Sequence, residues 1–86
     1  MPTVLFLKGW RFFFYSNEGN EPPHIHVVKA EAEGKFWLDH DRYDVPAAFT
    51  HNLSPADLRF IRRTLLDHFD EFLEAWKDAQ GVQSDD

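Results

Sequence analysis

His24 and His26, one residue apart and directly preceded by Pro22 and Pro23, are the side chains of this sequence best suited to chemistry. On an extended strand, residues two apart project from the same face, so the two imidazoles would lie side by side. Such a pair can bind a metal ion, transfer a proton or contact a phosphate. The prolines restrict the backbone just ahead of the strand, which suits a segment that must hold side chains in place. The residues alone leave these uses open beside a plainer one, in which both rings simply pack on aromatic neighbours.

Each use needs further groups. For acid–base chemistry His24 and His26 would exchange protons with a substrate, while Arg11 or Lys35 stabilises the developing negative charge. For a divalent metal, His24 and His26 would be joined by Asp39, with Glu18, Glu21 and His40 as other third ligands; otherwise no cofactor is implied. A second constellation is aromatic and basic: Trp37 and Lys35, combined with Arg11 and Tyr15 or with Trp10 and Phe12. Surfaces of this kind stack the bases of single-stranded RNA and contact its phosphates. They mark protein interfaces at least as often, and that use is favoured for this face, which makes Trp37, Tyr15 and Trp10 candidate partner contacts. Arg59, Arg62 and Arg63 read as a solvated helix flank, His68 as structural, and the loop of Asn and Glu over 16–21 as solvated. A phosphate-binding glycine loop, a nucleophile elbow and a His-Glu-x-x-His helix are all absent from the sequence.

The elements that must position these residues follow from pattern. Thr3–Leu7 is β-rich, and Lys8-Gly9 breaks it as a hairpin turn would. Trp10–Tyr15 alternates Trp10, Phe12 and Phe14 against Arg11, Phe13 and Tyr15, so both faces are apolar, as in a central strand. A polar loop runs to Pro23, His24–Lys29 is a third strand, Glu31–Gly34 a turn, and Lys35–Asp39 a fourth strand. Tyr43–Val45 is a short fifth candidate. Ser54, Pro55 and Asp57 then form a capping box with proline at the first helical position, and Leu53 and Leu58 a hydrophobic staple. Leu58, Ile61, Leu65, Phe69, Phe72 and Trp76 recur at helical spacing, which predicts one long helix with a single apolar stripe ending near Gly81.

These elements predict an α+β domain over 1–79: an antiparallel sheet of four to five strands with one long C-terminal helix on one face, followed by a disordered tail over 80–86. Ile25, Val27, Phe36 and Leu38 are the expected inward set. His24, His26, Trp37 and Asp39 then share the opposite face. A chain of 86 residues with nine Phe, three Trp and two Tyr has enough ring area for one compact core. It has no cysteine, which excludes disulfides and thiolate metal sites and suits a cytoplasmic location. No signal peptide or membrane span is expected. The net charge of −6 weighs against strong nonspecific nucleic-acid binding and favours a protein partner, or a local basic patch, over a generally basic surface.

Taken together, Met1-Pro2-Thr3-Val4-Leu5, the run Phe12-Phe13-Phe14-Tyr15-Ser16-Asn17-Glu18-Gly19-Asn20-Glu21-Pro22-Pro23-His24-Ile25-His26-Val27, Lys35-Phe36-Trp37-Leu38 and a Ser54 helix ending in Glu74-Ala75-Trp76 resemble a bacterial family of domains of unknown function. The resemblance covers nearly the whole chain. It implies a small cytosolic protein whose gene neighbours one for another small protein, in an arrangement similar to toxin–antitoxin pairs. The toxin-type partner, acting on RNA as a ribonuclease, is the first expectation. A non-catalytic binding module, antitoxin or adaptor, is the second, and a metal-binding protein using His24 and His26 the third. The implied partners are the neighbouring gene's product, RNA, or a second copy of the chain. From Asp39 to Asp44 this chain is more charged than the family pattern.

Overall fold

The computed structural model describes residues 3–15 and 20–80. Five strands form one antiparallel meander in chain order: β1 (Thr3–Leu7), β2 (Trp10–Phe13), β3 (His24–Lys29), β4 (Ala32–Trp37) and β5 (Ala47–His51). Two helices follow, α1 (Pro55–Asp67) and α2 (Phe69–Ala79), and pack on one face of the sheet. The fold is α+β, with five strands and two helices in place of one long helix. Within residues 16–19 the expected polar loop lies outside the described residues, as does the expected tail from residue 81. Gln80, the first residue of that expected tail, is placed: its side-chain amide donates to the Tyr15 carbonyl.

The sheet is built from tight turns. Lys8 and Gly9 both have positive φ, 53° and 85°, which suits the two-residue turn joining β1 to β2. The β3–β4 turn falls at Ala30-Glu31, with Ala30 at φ 53°, three residues before the glycine expected to mark it. Gly34 lies inside β4 instead. An added Cβ there would sit 2.8 Å from Phe36 Cε1 and 3.1 Å from Leu53 Cδ1, so the absence of a side chain lets those two pack over the strand. The fourth strand therefore begins three residues earlier than its pattern suggests and stops at Trp37. Tyr43–Val45 does not form the fifth strand. Asp39 and Asp44 pair across a turn, and β5 starts only after Pro46.

Alternation then sorts the side chains. Trp10, Phe12, Phe14, Ile25, Val27, Phe36 and Leu38 point toward the helices and are buried with Ile61, Leu65, Phe69, Phe72 and Trp76. Phe12 stacks on Phe72 at 5.7 Å, and Phe14 meets Trp76 edge-on at 5.8 Å. Each fully buried ring or branched side chain contributes about 1.5–3 kcal/mol. Helix α1 starts on a complete capping box: Ser54 Oγ accepts from the Asp57 amide at 3.0 Å, and the Ser54 amide donates to Asp57 Oδ2 at 3.1 Å. The apolar stripe continues through both helices, but the backbone departs from helical geometry at His68, with φ −118° and ψ 25°. The Thr64 hydroxyl donates to the Phe60 carbonyl one turn earlier, a bond that favours bending. The His68 ring holds Glu71 at 2.6 Å. Spacing alone carries no sign of this break, because neither proline nor glycine marks it.

Candidate functional site

Among the described residues the helices cover one side of the sheet, and the other, the open face, takes its composition from strand register, with Phe13 and His24 buried on it. Residues directly opposite one another share a face. One row crosses the sheet as Phe13, His26, Lys35 and Phe49; a second runs Phe6, Arg11, Val28, Glu33 and His51. His24 pairs with Trp37 one step along. Three strands thus bring Arg11, His24, His26, Lys35 and Trp37 to one side of the sheet, with Tyr15 meeting His26 just past β2.

The two histidines occupy different environments. His26 is partly exposed, stacked on Phe13 at 5.5 Å and approached edge-on by Tyr15 at 4.8 Å. His24 is completely buried. Its ring lies 5.1 Å from His26, 5.6 Å from Trp37 and 4.7 Å from Trp76 of α2, which closes over this end of the sheet. The expectation that both rings face away from the helices therefore describes His26, whereas His24 sits in the seam between the layers. The Pro22 carbonyl lies 3.0 Å from His24 Nδ1, and a carbonyl only accepts, so Nδ1 carries a proton. This contact fixes the ring and its tautomer, and it depends on the proline pair that shapes the segment.

Glu21 links the histidines to the basic groups. Lys35 Nζ donates to Glu21 Oε1 at 2.7 Å, and His24 Nδ1 is 3.7 Å from the same oxygen. The hydrogen bond from Lys35 holds the Glu21 carboxyl below the usual glutamate range, and the charge of Lys35 and the two imidazoles adds to it. Lys35 also lies 4.8 Å above the Trp37 ring, and the Arg11 guanidinium 4.5 Å above Phe13. The face alternates cations with rings, the arrangement that suits a substrate offering both phosphates and flat bases.

Trp10 is elsewhere. It is 4 % exposed and points into the core, with Lys29 Nζ 5.5 Å from its ring, so it does not share a surface with Trp37 and Tyr15. Asp39 lies beyond the end of β4 and accepts twice from Arg42, from the backbone amide and from the guanidinium, each at 3.2 Å. Among the described residues no three His, Asp, Glu or Cys side chains are grouped as metal ligands. Beside the histidines, a cavity of about 510 Å³ opens between Pro22, Pro23, Trp37 and the turn from Asp39 to Pro46.

Two features of this region are invisible to residue spacing. Phe6 and Phe49 are exposed at 68 % and 49 % on the open face, and Phe49 belongs to a strand that the sequence pattern misplaces. Arg62 is no solvated flank: it reaches back to the Val45 carbonyl at 3.2 Å and Asp44 Oδ1 at 3.1 Å, fixing the turn beside the cavity to α1. The Val45 amide and then Arg62 lower the Asp44 carboxyl below its usual range.

A family model described as a domain of unknown function, DUF4160, matches residues 9–77. The chain belongs to this family. The matched segment contains the strands that build the open face from β2 to β5, both helices and the proline–histidine run. No curated protein and no solved structure matches the chain. The DUF4160 match thus places His24 and His26 inside the family's domain without attaching a reaction to them.

Proposed function

We propose that this protein is the toxin-type member of a bacterial two-gene pair and cleaves single-stranded RNA on the open face of its sheet. The observation that carries the reading is the placement of His26 opposite Lys35 on neighbouring uncovered strands, with Tyr15 against the imidazole. The two-gene setting rests on the family resemblance described above. In the proposed reaction His26 takes the proton from a ribose 2′-hydroxyl, whose oxygen then attacks the adjacent phosphorus. Lys35 and Arg11 stabilise the charge gathering on the phosphoryl oxygens. The bond to the 5′-oxygen breaks, Tyr15 protonates that oxygen, and a 2′,3′-cyclic phosphate and a 5′-hydroxyl remain. His24 orients His26 from behind and is a positioning residue.

Incubating purified protein with a single-stranded RNA should yield cyclic-phosphate ends, and an oligonucleotide lacking 2′-hydroxyls should stay intact. His26→Ala should lower the rate by about 10²–10⁴-fold, the usual contribution of a general base. Undiminished cleavage by that variant would remove His26 from the chemistry.

A second reading is supported by Phe6 and Phe49, the large apolar side chains exposed on the same face. These rings sit on the two edge strands, β1 and β5, so a partner contacting both would span the face, and exposed rings of this kind mark docking surfaces for protein, here the small protein from the neighbouring gene. On this reading Phe49→Ser and Trp37→Ala abolish complex formation with the fold preserved, and no RNA is cleaved.

A further inference from the structure

The cavity beside the histidines has a lining of apolar walls and charged groups. Pro22, Pro23, Pro46 and Trp37 give it flat apolar walls, and Asp39, Asp41 and Arg42 bring charge to it, with His40 beside them. It adjoins the proton-transfer cluster directly: Trp37 touches His24 and lies under Lys35, and Pro22 holds the His24 ring. A nucleotide whose phosphate rests on Lys35 would therefore have this cavity within reach of its base.

Of the two aspartates at the cavity, Asp39 is the sheltered one and Asp41 is fully exposed. The Asp39 side chain is 22 % exposed and engaged by Arg42, whose own side chain is 82 % exposed. An ion pair so open to water is weakly held, so Arg42 can yield to a ligand. Each carboxylate oxygen accepts more than one hydrogen bond and donates none. An acceptor-only pair of oxygens matches an edge with two adjacent N–H donors. Guanine has that edge in N1–H and the N2 amino group. Adenine and cytosine each place a ring-nitrogen acceptor beside their amino group, and uracil flanks its single N–H with carbonyl oxygens. Each would set a lone pair against a carboxylate.

We propose that this cavity is a guanine subsite, in which Asp39 accepts from N1–H and N2–H while Trp37 and the prolines pack on the base, so that cleavage falls next to guanosine. The proposal rests on the RNA reading above and adds its base preference.

The test uses the full chain and short single-stranded RNAs of uridine with one central variable nucleotide. All are 2′-O-methylated, so that binding is read without cleavage by fluorescence anisotropy. The guanine oligonucleotide should bind about tenfold or more tightly than those with adenine, cytosine or uracil. Replacing guanine by hypoxanthine, which lacks the N2 amino group, should lose most of that advantage. Replacement by 7-deazaguanine, which keeps the paired edge, should retain it. Asp39→Asn, checked by circular dichroism for an unchanged fold, should level guanine and adenine. The hypoxanthine comparison needs no variant and stands if Asp39→Asn fails to fold. Equal affinity for all bases, or hypoxanthine binding as well as guanine, overturns the subsite alone, and His26-dependent cleavage then survives it. Failure of every RNA to bind overturns both the subsite and the RNA reading.

Discussion

Glu21 shows how a single carboxylate can organise a site it does not itself dominate. It accepts from Lys35 at 2.7 Å and lies 3.7 Å from His24 Nδ1, so it restrains the cation while backing the buried imidazole. Because Lys35 donates to the ionised form, the Glu21 carboxyl titrates below its ordinary range. A carboxyl whose pKa is lower folded than unfolded stabilises the fold above the unfolded value. That contribution disappears as pH falls through the folded value. Asp44, held by the Val45 amide and Arg62, follows the same sign. Acid should therefore loosen the cluster and the turn beside the cavity together, below the normal carboxylate range. A carbon-detected NMR titration should place the Glu21 midpoint below that of a model glutamate, and Lys35→Met should move it back up. If Lys35→Met leaves the midpoint where it was, the lysine is not what holds Glu21 ionised.

At the scale of elements, β4 is the piece that positions the chemistry, since it carries Lys35 and Trp37 between the histidines of β3 and the exposed ring of β5. Its position depends on Gly34, over which Phe36 and Leu53 close. Gly34→Ala forces a methyl group to within 2.8 Å of the ring of Phe36, which is 1 % exposed and cannot swing away. Overpacking of this kind costs about 1–3 kcal/mol. The urea midpoint should drop accordingly, and an unchanged midpoint would mean that the strand does not need the glycine. The same residue explains where the pattern misleads. Glycine usually reads as a turn, so the pattern starts β4 after it, while the real turn uses Ala30 at positive φ, for which composition offers no cue. Lys8-Gly9, the Ser54–Asp57 box and the alternation of Trp10 to Tyr15 were legible because each depends on neighbours within a few residues. The bend at His68, the late start of β5 and the burial of His24 against Trp76 depend on tertiary contacts, which spacing does not encode. The candidate cluster was correspondingly half legible: His26, Lys35 and Trp37 share a face by strand period alone, but Phe49 joins them only through pairing with β5.

For the whole molecule, the difficulty is charge: a chain with a net charge of −6 is proposed to bind a polyanion. The layered fold moves much of the acidic charge away from the site, although Glu33 is exposed on the open face and Glu21 is paired with Lys35. Asp67, Asp70, Glu71, Glu74 and Asp78 are exposed on the helices, which lie on one side of the sheet, while Arg11 and Lys35 lie on the other. At physiological ionic strength charges farther apart than about 8 Å are largely screened, so the helix layer repels RNA weakly at the open face. Few cations are available there, so the electrostatic part of binding must be small. For single strands the logarithm of the binding constant falls with the logarithm of salt concentration by about 0.7 per phosphate neutralised. With Arg11 and Lys35 as the two contacts, the slope should be about −1.4, far shallower than for a basic nucleic-acid-binding protein. Lys35→Met should bring it to about −0.7 and leave the guanine preference in place, because base selection resides in Asp39 rather than in the phosphate contact. Anisotropy titrations across a salt series measure both quantities at once. A slope that Lys35→Met does not change would detach the phosphate from Lys35, and with it the placement of His26 beside the scissile bond.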